Sequence, residues 1–360
     1  MFYHLLYPLH TKISTFNLFR YITIRAAFAG ITALILSFIF GPKLIRYFSN
    51  HRLFAGIRED GIPSQESKGK VPTMGGVLII LASVISTLLW VNLKESFIWI
   101  ALFSFLTLGF LGFLDDWRKI KKNEGIRPLY KILWQIVIGV CVGTYVFLLP
   151  KNPEFCTHTS LLFVKNVFLY LGGFYIPFVI LVIVGTSNAT NLADGLDGLA
   201  IGLIAEITLA YAILAYVVGN VNMSDYLNLL YINGSGELTI FLVSIVGSGL
   251  GFLWFNMHPA QIIMGDTGAL ALGGVIGTCA VLIKQEILLV LAGGMFVVEA
   301  MSVILQVIYF KRTHGKRLFR MTPLHHHYEK DGVAEEKIVV RFWIMGILFL
   351  LAALSTLKIR

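Results

Sequence analysis

The chain has 360 residues, of which 57% are hydrophobic and only 14% charged, with a net charge of +9. Soluble domains carry about 25% charged residues, so the composition excludes an ordinary water-soluble globule. The basic excess is concentrated in three loops between apolar runs, as membrane topology demands, and does not point to nucleic-acid binding.

Apolar stretches near the length of a bilayer-spanning helix recur from end to end. Ten are predicted, at 22–41, 74–92, 97–114, 131–149, 167–185, 199–218, 238–256, 268–283, 287–310 and 338–357. Backbone polar groups in lipid must be paired internally, which favours helices, and the alternation of barrel strands is missing. The expected fold is an all-α polytopic membrane protein of about ten transmembrane helices, forming a single domain over 1–360. Residues 1–21 are mixed and aromatic, and the first apolar run ends in Gly41-Pro42-Lys43; that run is therefore expected to be a retained span, not a cleaved signal. Cys141, Cys156 and Cys279 form no CxxC and support neither zinc nor a disulfide framework.

Basic residues set orientation. Six lie between spans one and two, six between three and four counting Lys131 at the start of span four, and seven between nine and ten, whereas the even-numbered loops carry only Lys94, Lys151, Lys165 and Lys284. Odd loops are thus expected in the cytoplasm and both termini outside, in the periplasm. Loops five (186–198) and seven (257–267) have no Lys or Arg, yet this count also places them inside.

Three acidic clusters lie on that side. Asp115-Asp116 ends span three in FLDDWRK. Acids sit poorly at a helix C-terminus, and adjacent carboxylates repel unless a cation or proton intervenes; the bland alternative is a solvated helix end. Lys119 could serve a phosphate or simply anchor topology. In NATNLADGLDG, Asn188, Asn191, Asp194 and Asp197 recur every third residue. They would spread over half of an α-helix but line one side of a tighter turn. Capping of span six by Asp194 or Asp197 explains only one of the four. Asp266, in IIMGDTG after Asn256 and His258, is a candidate N-cap for span eight and equally a magnesium ligand. Carboxylates converging near hydrocarbon suggest a divalent cation, and hence phosphate chemistry.

Lys70, Thr73 and Gly75-Gly76 before span two form a weak phosphate-holding signal. His325, His326 and His327 in TPLHHHYEKDG point in different directions, which favours substrate or phosphate contacts over a shared zinc. Glu299, Ser302 and Gln306 form a polar stripe in span nine, and Glu206 lies inside span six. These are read as facing the bundle interior, and they are also the best hint of a transporter.

Taken together, FLDDWRK, NATNLADGLDGLA, FNMHPAQIIMGDTGALALGG and MTPLHHHYEKDG resemble the polyprenyl-phosphate sugar-1-phosphate transferases, and PLHHHYE resembles their muramoyl-pentapeptide branch. The resemblance covers essentially the whole chain. It implies a multi-pass enzyme of the bacterial inner membrane with its active site on the cytoplasmic face. That enzyme would pass phospho-MurNAc-pentapeptide from UDP-MurNAc-pentapeptide to undecaprenyl phosphate, giving lipid I and UMP, with Mg2+ as cofactor and a homodimer as the assembly. By the same resemblance Asp266 is a magnesium ligand, and Asp115 and Asp116 are the essential catalytic pair. Asn191 and Asp194 complete the polar site. Gly195, Leu196, Asp197 and Asn256 match the uridine pocket, Lys70 and Thr73 match substrate-binding positions, and His325, His326 and His327 contact the nucleotide sugar with Gln306 nearby. A sister transferase using UDP-N-acetylglucosamine is the nearest rival, and a secondary transporter the rival from another class.

Overall fold

The computed structural model describes residues 1–54, 71–164 and 167–359. Its helices, in chain order, are α1 Phe2–Leu6, α2 Ile22–Asn50, α3 Gly76–Trp90, α4 Ser96–Lys122, α5 Pro128–Leu148, α6 Tyr175–Ala193, α7 Leu199–Val218, α8 Val221–Tyr226, α9 Gly236–Asn256, α10 Gly265–Leu282, α11 Glu286–Ala292, α12 Gly294–Arg312, α13 Leu324–Lys330 and α14 Glu335–Ile359. The only sheet among the described residues is a hairpin of β1 His158–Ser160 and β2 Phe168–Tyr170. Among the described residues, nine helices are long and apolar enough to cross a membrane, and α3 is a shorter apolar one.

Several predicted spans differ in detail. The first and third run on to Asn50 and Lys122, past the expected 41 and 114, and the fifth, expected over 167–185, runs Tyr175–Ala193 because 168–170 pair as β2. The second, expected over 74–92, is a helix of 15 residues. At 1.5 Å per residue it rises about 22 Å, less than the hydrocarbon thickness of about 30 Å. Its start is delayed because Met74 and Gly75 form a turn, with the Gly75 and Gly76 N–H groups donating to Ile263 and Met264 carbonyls at 2.9 Å each. The ninth, expected as one helix over 287–310, is two, separated at Gly293. Gly294 lies against the Phe349 ring, where a Cβ would come within 2.4 Å, so the break falls where the chain meets α14.

The most deeply buried long helix is α10, which packs against α3, α4, α6 and α7. Small residues allow this. A Cβ on Gly76 would sit 2.1 Å from the Gly268 nitrogen, and one on Gly112 would sit 2.2 Å from the Asp266 carbonyl oxygen. Backbones therefore touch where α10 begins, by the close approach that glycine permits between membrane helices.

The opposite end of the bundle is tied by polar locks. Arg25 donates to both oxygens of Glu237, at 2.8 and 2.6 Å, and the Asn92 N–H donates to the same carboxylate at 2.7 Å. Both charges are buried. Removing one partner strands the other, so Glu237→Ala should destabilise the protein by about 3 kcal/mol, visible as a lowered Tm in a detergent melt. The hairpin is held similarly: Thr159 and Tyr175 hydroxyls donate to Glu286, at 2.8 and 2.7 Å, and Lys284 Nζ donates to the Cys156 carbonyl at 2.7 Å. The N-terminus lies at this end, its ammonium donating to the Leu89 carbonyl at 2.9 Å.

Candidate active site

The far ends of α4, α6 and α9 and the beginnings of α5, α10 and α13 surround a cleft of about 630 Å³. The structure thus brings the three acidic clusters to one place. Asp116, Asn188, Asn191, Asp194, Asp197 and Asp266 all line it.

Consecutive residues on a helix point about 100° apart, so Asp115 and Asp116 meet different neighbours. Asp116 faces the start of α10. It accepts from the Asp266 N–H at 3.2 Å, the Thr267 N–H at 2.9 Å and the Thr267 hydroxyl at 2.7 Å. A carboxylate from one helix thereby satisfies the free N–H groups of another, where the dipole favours an anion. This explains why Asp266 is not the N-cap: it is the second residue of α10, and its side chain points into the cleft. Gly265, at φ +74°, makes the turn beside Asp116, where a Cβ would lie 2.6 Å from Oδ2.

Asp115 faces away from the open cleft and is buried. Its Oδ1 accepts from the Ile126 N–H at 2.6 Å, and Lys119 and Lys131 both reach Oδ2 at 2.7 Å. The same lysines reach Asp266, at 3.0 Å to Oδ1 and 2.7 Å to Oδ2. Three carboxylates against two ammonium groups leave one formal negative charge. One oxygen each from Asp115, Asp116 and Asp266 lie within 4.8 Å of one another, so the group could hold a metal ion.

The every-third-residue series is resolved by the end of α6. Asn188 and Asn191 are helical, Asp194 is the C-cap at φ −83°, ψ 53°, and Asp197 lies in the following turn. Leaving the helix at 194 carries the last two residues round to the cleft side. Neither aspartate caps α7, whose N-cap is Gly198 at φ +79°. Asp197 instead accepts from the Ala260 N–H at 3.1 Å and lies 3.3 Å from His258 Nδ1. Its own N–H donates to Glu335 at 2.7 Å. Asn256 accepts from the Gly198 N–H at 3.1 Å and donates to the Ile262 carbonyl at 2.9 Å, fixing Gly195, Leu196 and Asp197 along one wall.

Thr73 lines the same cleft, and Lys70 lies outside the described residues. The three histidines separate. His326 lines the cleft, held by Glu329 at 2.9 Å. His325 is buried behind Gly195, where a Cβ would meet its Nε2 at 2.2 Å; desolvation holds its pKa below the ordinary histidine range. His327 turns outward toward Asp331, 3.7 Å away. Gln306 is not at this cleft and holds the 318–319 backbone instead, accepting at 3.0 and 2.9 Å.

Sequence reasoning gave Lys131 only a topological role and missed its contact with two aspartates. The available signal was its position alone, one turn past Pro128 at the start of an apolar span. Glu299, read as part of a polar stripe, accepts from the Leu324 and His325 N–H groups at 2.8 and 3.2 Å. It therefore caps α13 from below and sets the height of the histidine helix.

The sequence that builds this site is similar to those of known proteins. Residues 98–284, which include the Asp115, Asp116, Asp194, Asp197 and Asp266 positions, match the model of Glycosyl transferase family 4. The phospho-N-acetylmuramoyl-pentapeptide-transferases of Citrifermentans bemidjiense and a Geobacter species are each 51% identical to this chain over the full length of both, and that of Desulfotalea psychrophila is 50% identical over the same extent. With the family match spanning the acidic helix ends and half of all positions shared from end to end, the chain belongs to glycosyl transferase family 4.

Proposed function

We propose that this protein transfers phospho-MurNAc-pentapeptide from UDP-MurNAc-pentapeptide to undecaprenyl phosphate at the cytoplasmic face of the bacterial inner membrane, releasing lipid I and UMP. The observation that carries the reading is the convergence of Asp115, Asp116 and Asp266 with Lys119 and Lys131 at the end of membrane-spanning helices. An oxygen of the lipid phosphate attacks the sugar-bearing phosphorus of the donor, and the bond to the UMP oxygen breaks. One pyrophosphate replaces another, so no further energy source is needed.

Two anions must meet for this to happen, and their repulsion is the main barrier the protein has to lower. Lys119 and Lys131 are placed to lend their charge to phosphate oxygens while Asp115 holds them in register. Asp266 and Asp116 would hold Mg2+, for which carboxylate oxygens are the suitable ligands; when bound, the ion supplies positive charge to the diphosphate. Of the pair, Asp116 lines the cleft and is the one placed to orient the lipid phosphate or take its proton. The wall formed by Gly195, Leu196, Asp197 and Asn256 receives the uridine, and His326 reaches the nucleotide sugar.

The test is UMP release by purified protein given both substrates, with and without magnesium. Magnesium-dependent UMP matched by a lipid-linked muropeptide supports the reading. Release from UDP-N-acetylglucosamine alone would move the protein to the sister transferases. His326→Ala should lower kcat/KM by about 10- to 100-fold, since it removes a positioning hydrogen bond, a loss well beyond any change in stability. Unaltered kinetics would take the histidine out of the site.

A further inference from the structure

A second cavity, of about 540 Å³, lies beside the cleft and is lined by Gln306, Lys311, Arg317, Thr322 and Lys330. Its size falls in the range of ligand pockets, about 300–1,000 Å³. Three cations line it and no carboxylate does. The neighbouring acids are engaged elsewhere: Asp331 pairs with Arg320, and Glu329 pairs with His326. Among the described residues none of Lys311, Arg317 and Lys330 forms an ion pair with an acid.

The cavity is built, not incidental. Gln306 clamps the loop that carries Arg317, accepting from the Leu318 and Phe319 N–H groups and donating to the Phe319 carbonyl at 3.3 Å. Thr313 holds the preceding turn by donating to the Lys316 carbonyl at 3.3 Å. One loop separates the cavity from the cleft, for Thr322 lines the one and Pro323, the next residue, lines the other.

We propose that this basic cavity binds the carboxylates of the donor's peptide. The inference rests on the donor assigned above and deepens it. A pentapeptide ends in a free carboxylate, and five residues reach at most about 17 Å, which carries that carboxylate past the sugar beside His326 and over the Thr322–Pro323 loop. Guanidinium and ammonium groups without acidic partners match a carboxylate there, and the loop places them past the sugar, away from the diphosphate. Lys311, Arg317 and Lys330 are then specificity residues that separate peptide-bearing donors from bare nucleotide sugars.

The test is equilibrium binding of UDP-MurNAc-pentapeptide and of UDP-MurNAc without peptide to the full-length protein in detergent. The variant combines Lys311→Gln, Arg317→Gln and Lys330→Gln, all exposed positions whose change leaves the Gln306 clamp intact. Exposed cations contribute a few-fold each, so binding of the pentapeptide donor should weaken about tenfold while UDP-MurNAc changes less than about twofold. Restoring charge with Arg317→Lys in place of Arg317→Gln should recover part of the loss. Equal effects on both donors, or none on either, overturn the proposal. So does a variant that keeps its affinity for the pentapeptide donor but loses association with vesicles containing anionic phospholipid, which would make the cavity a headgroup site. Failure of the wild-type protein to bind either donor would instead remove the donor reading itself.

Discussion

Asp266→Asn is expected to reduce UMP release by about a thousandfold or more while leaving the protein folded. Loss of a single charged group aimed at the reacting centre commonly has this scale of effect. The fold should tolerate the change because Asn preserves shape, and the contacts that place residue 266 are made by its backbone. Its N–H donates to Asp116 and not to its own side chain, and Lys119 and Lys131 keep Asp115 as a partner. The discriminating measurement pairs the rate with a thermal melt. A large loss of rate at an unchanged Tm supports a role at the reacting phosphates. A near-normal rate would rule out Asp266 as metal ligand.

Gly112→Ala should inactivate the enzyme without touching a polar group. The new methyl would lie 2.2 Å from the Asp266 carbonyl oxygen, 2.4 Å from its carbonyl carbon and 2.6 Å from Thr267 Cα. All three are backbone atoms and cannot rotate away. Overpacking of this kind destabilises by about 1–3 kcal/mol, and relief comes only by moving α10 away from α4. That movement separates Asp266 from Asp116, and a displacement near 1 Å can lower turnover about a hundredfold. Gly185→Ala is the control, because a Cβ there meets nothing within 4 Å and should leave both Tm and rate nearly unchanged. If Gly112→Ala loses stability but keeps its kcat, the α4–α10 contact holds the fold without setting the geometry of the site.

The spans were legible because lipid imposes a coarse rule on length and polarity that local sequence cannot evade. The break in the ninth span was less so. Ala292-Gly293-Gly294 marks it, but glycine pairs are also common inside straight membrane helices, and the deciding partner, Phe349, lies some fifty residues away. Parity of loops was enough to put the acidic clusters on one side of the membrane. It could not foresee that Asp116 would serve as a cap for α10, since that depends on Gly112 and Gly265 letting two backbones meet. Lys131 was hidden by its own company: in a chain whose basic residues mark topology, one that pairs with two aspartates carries no distinguishing local pattern. The histidines illustrate the same limit. Their adjacency is visible in the sequence, but which one faces the cleft depends on Glu299, in another helix, fixing the start of α13.

The site divides along the depth of the bundle. Asp115, Asp116 and Asp266 stand on α4 and α10, pressed together by backbone contacts that admit almost no variation. The groups facing the rest of the cleft come from turns and a short surface helix: the 194–198 turn, the segment after α9, and α13 with the loop before it. On the proposed assignment, changes in those outer segments alter which nucleotide sugar is accepted while the acidic centre stays as it is. Such a bundle is suited to diversify by exchanging its rim, one reaction serving many donors, and selection on the donor would leave its record in the loops and hardly any in the helices beneath.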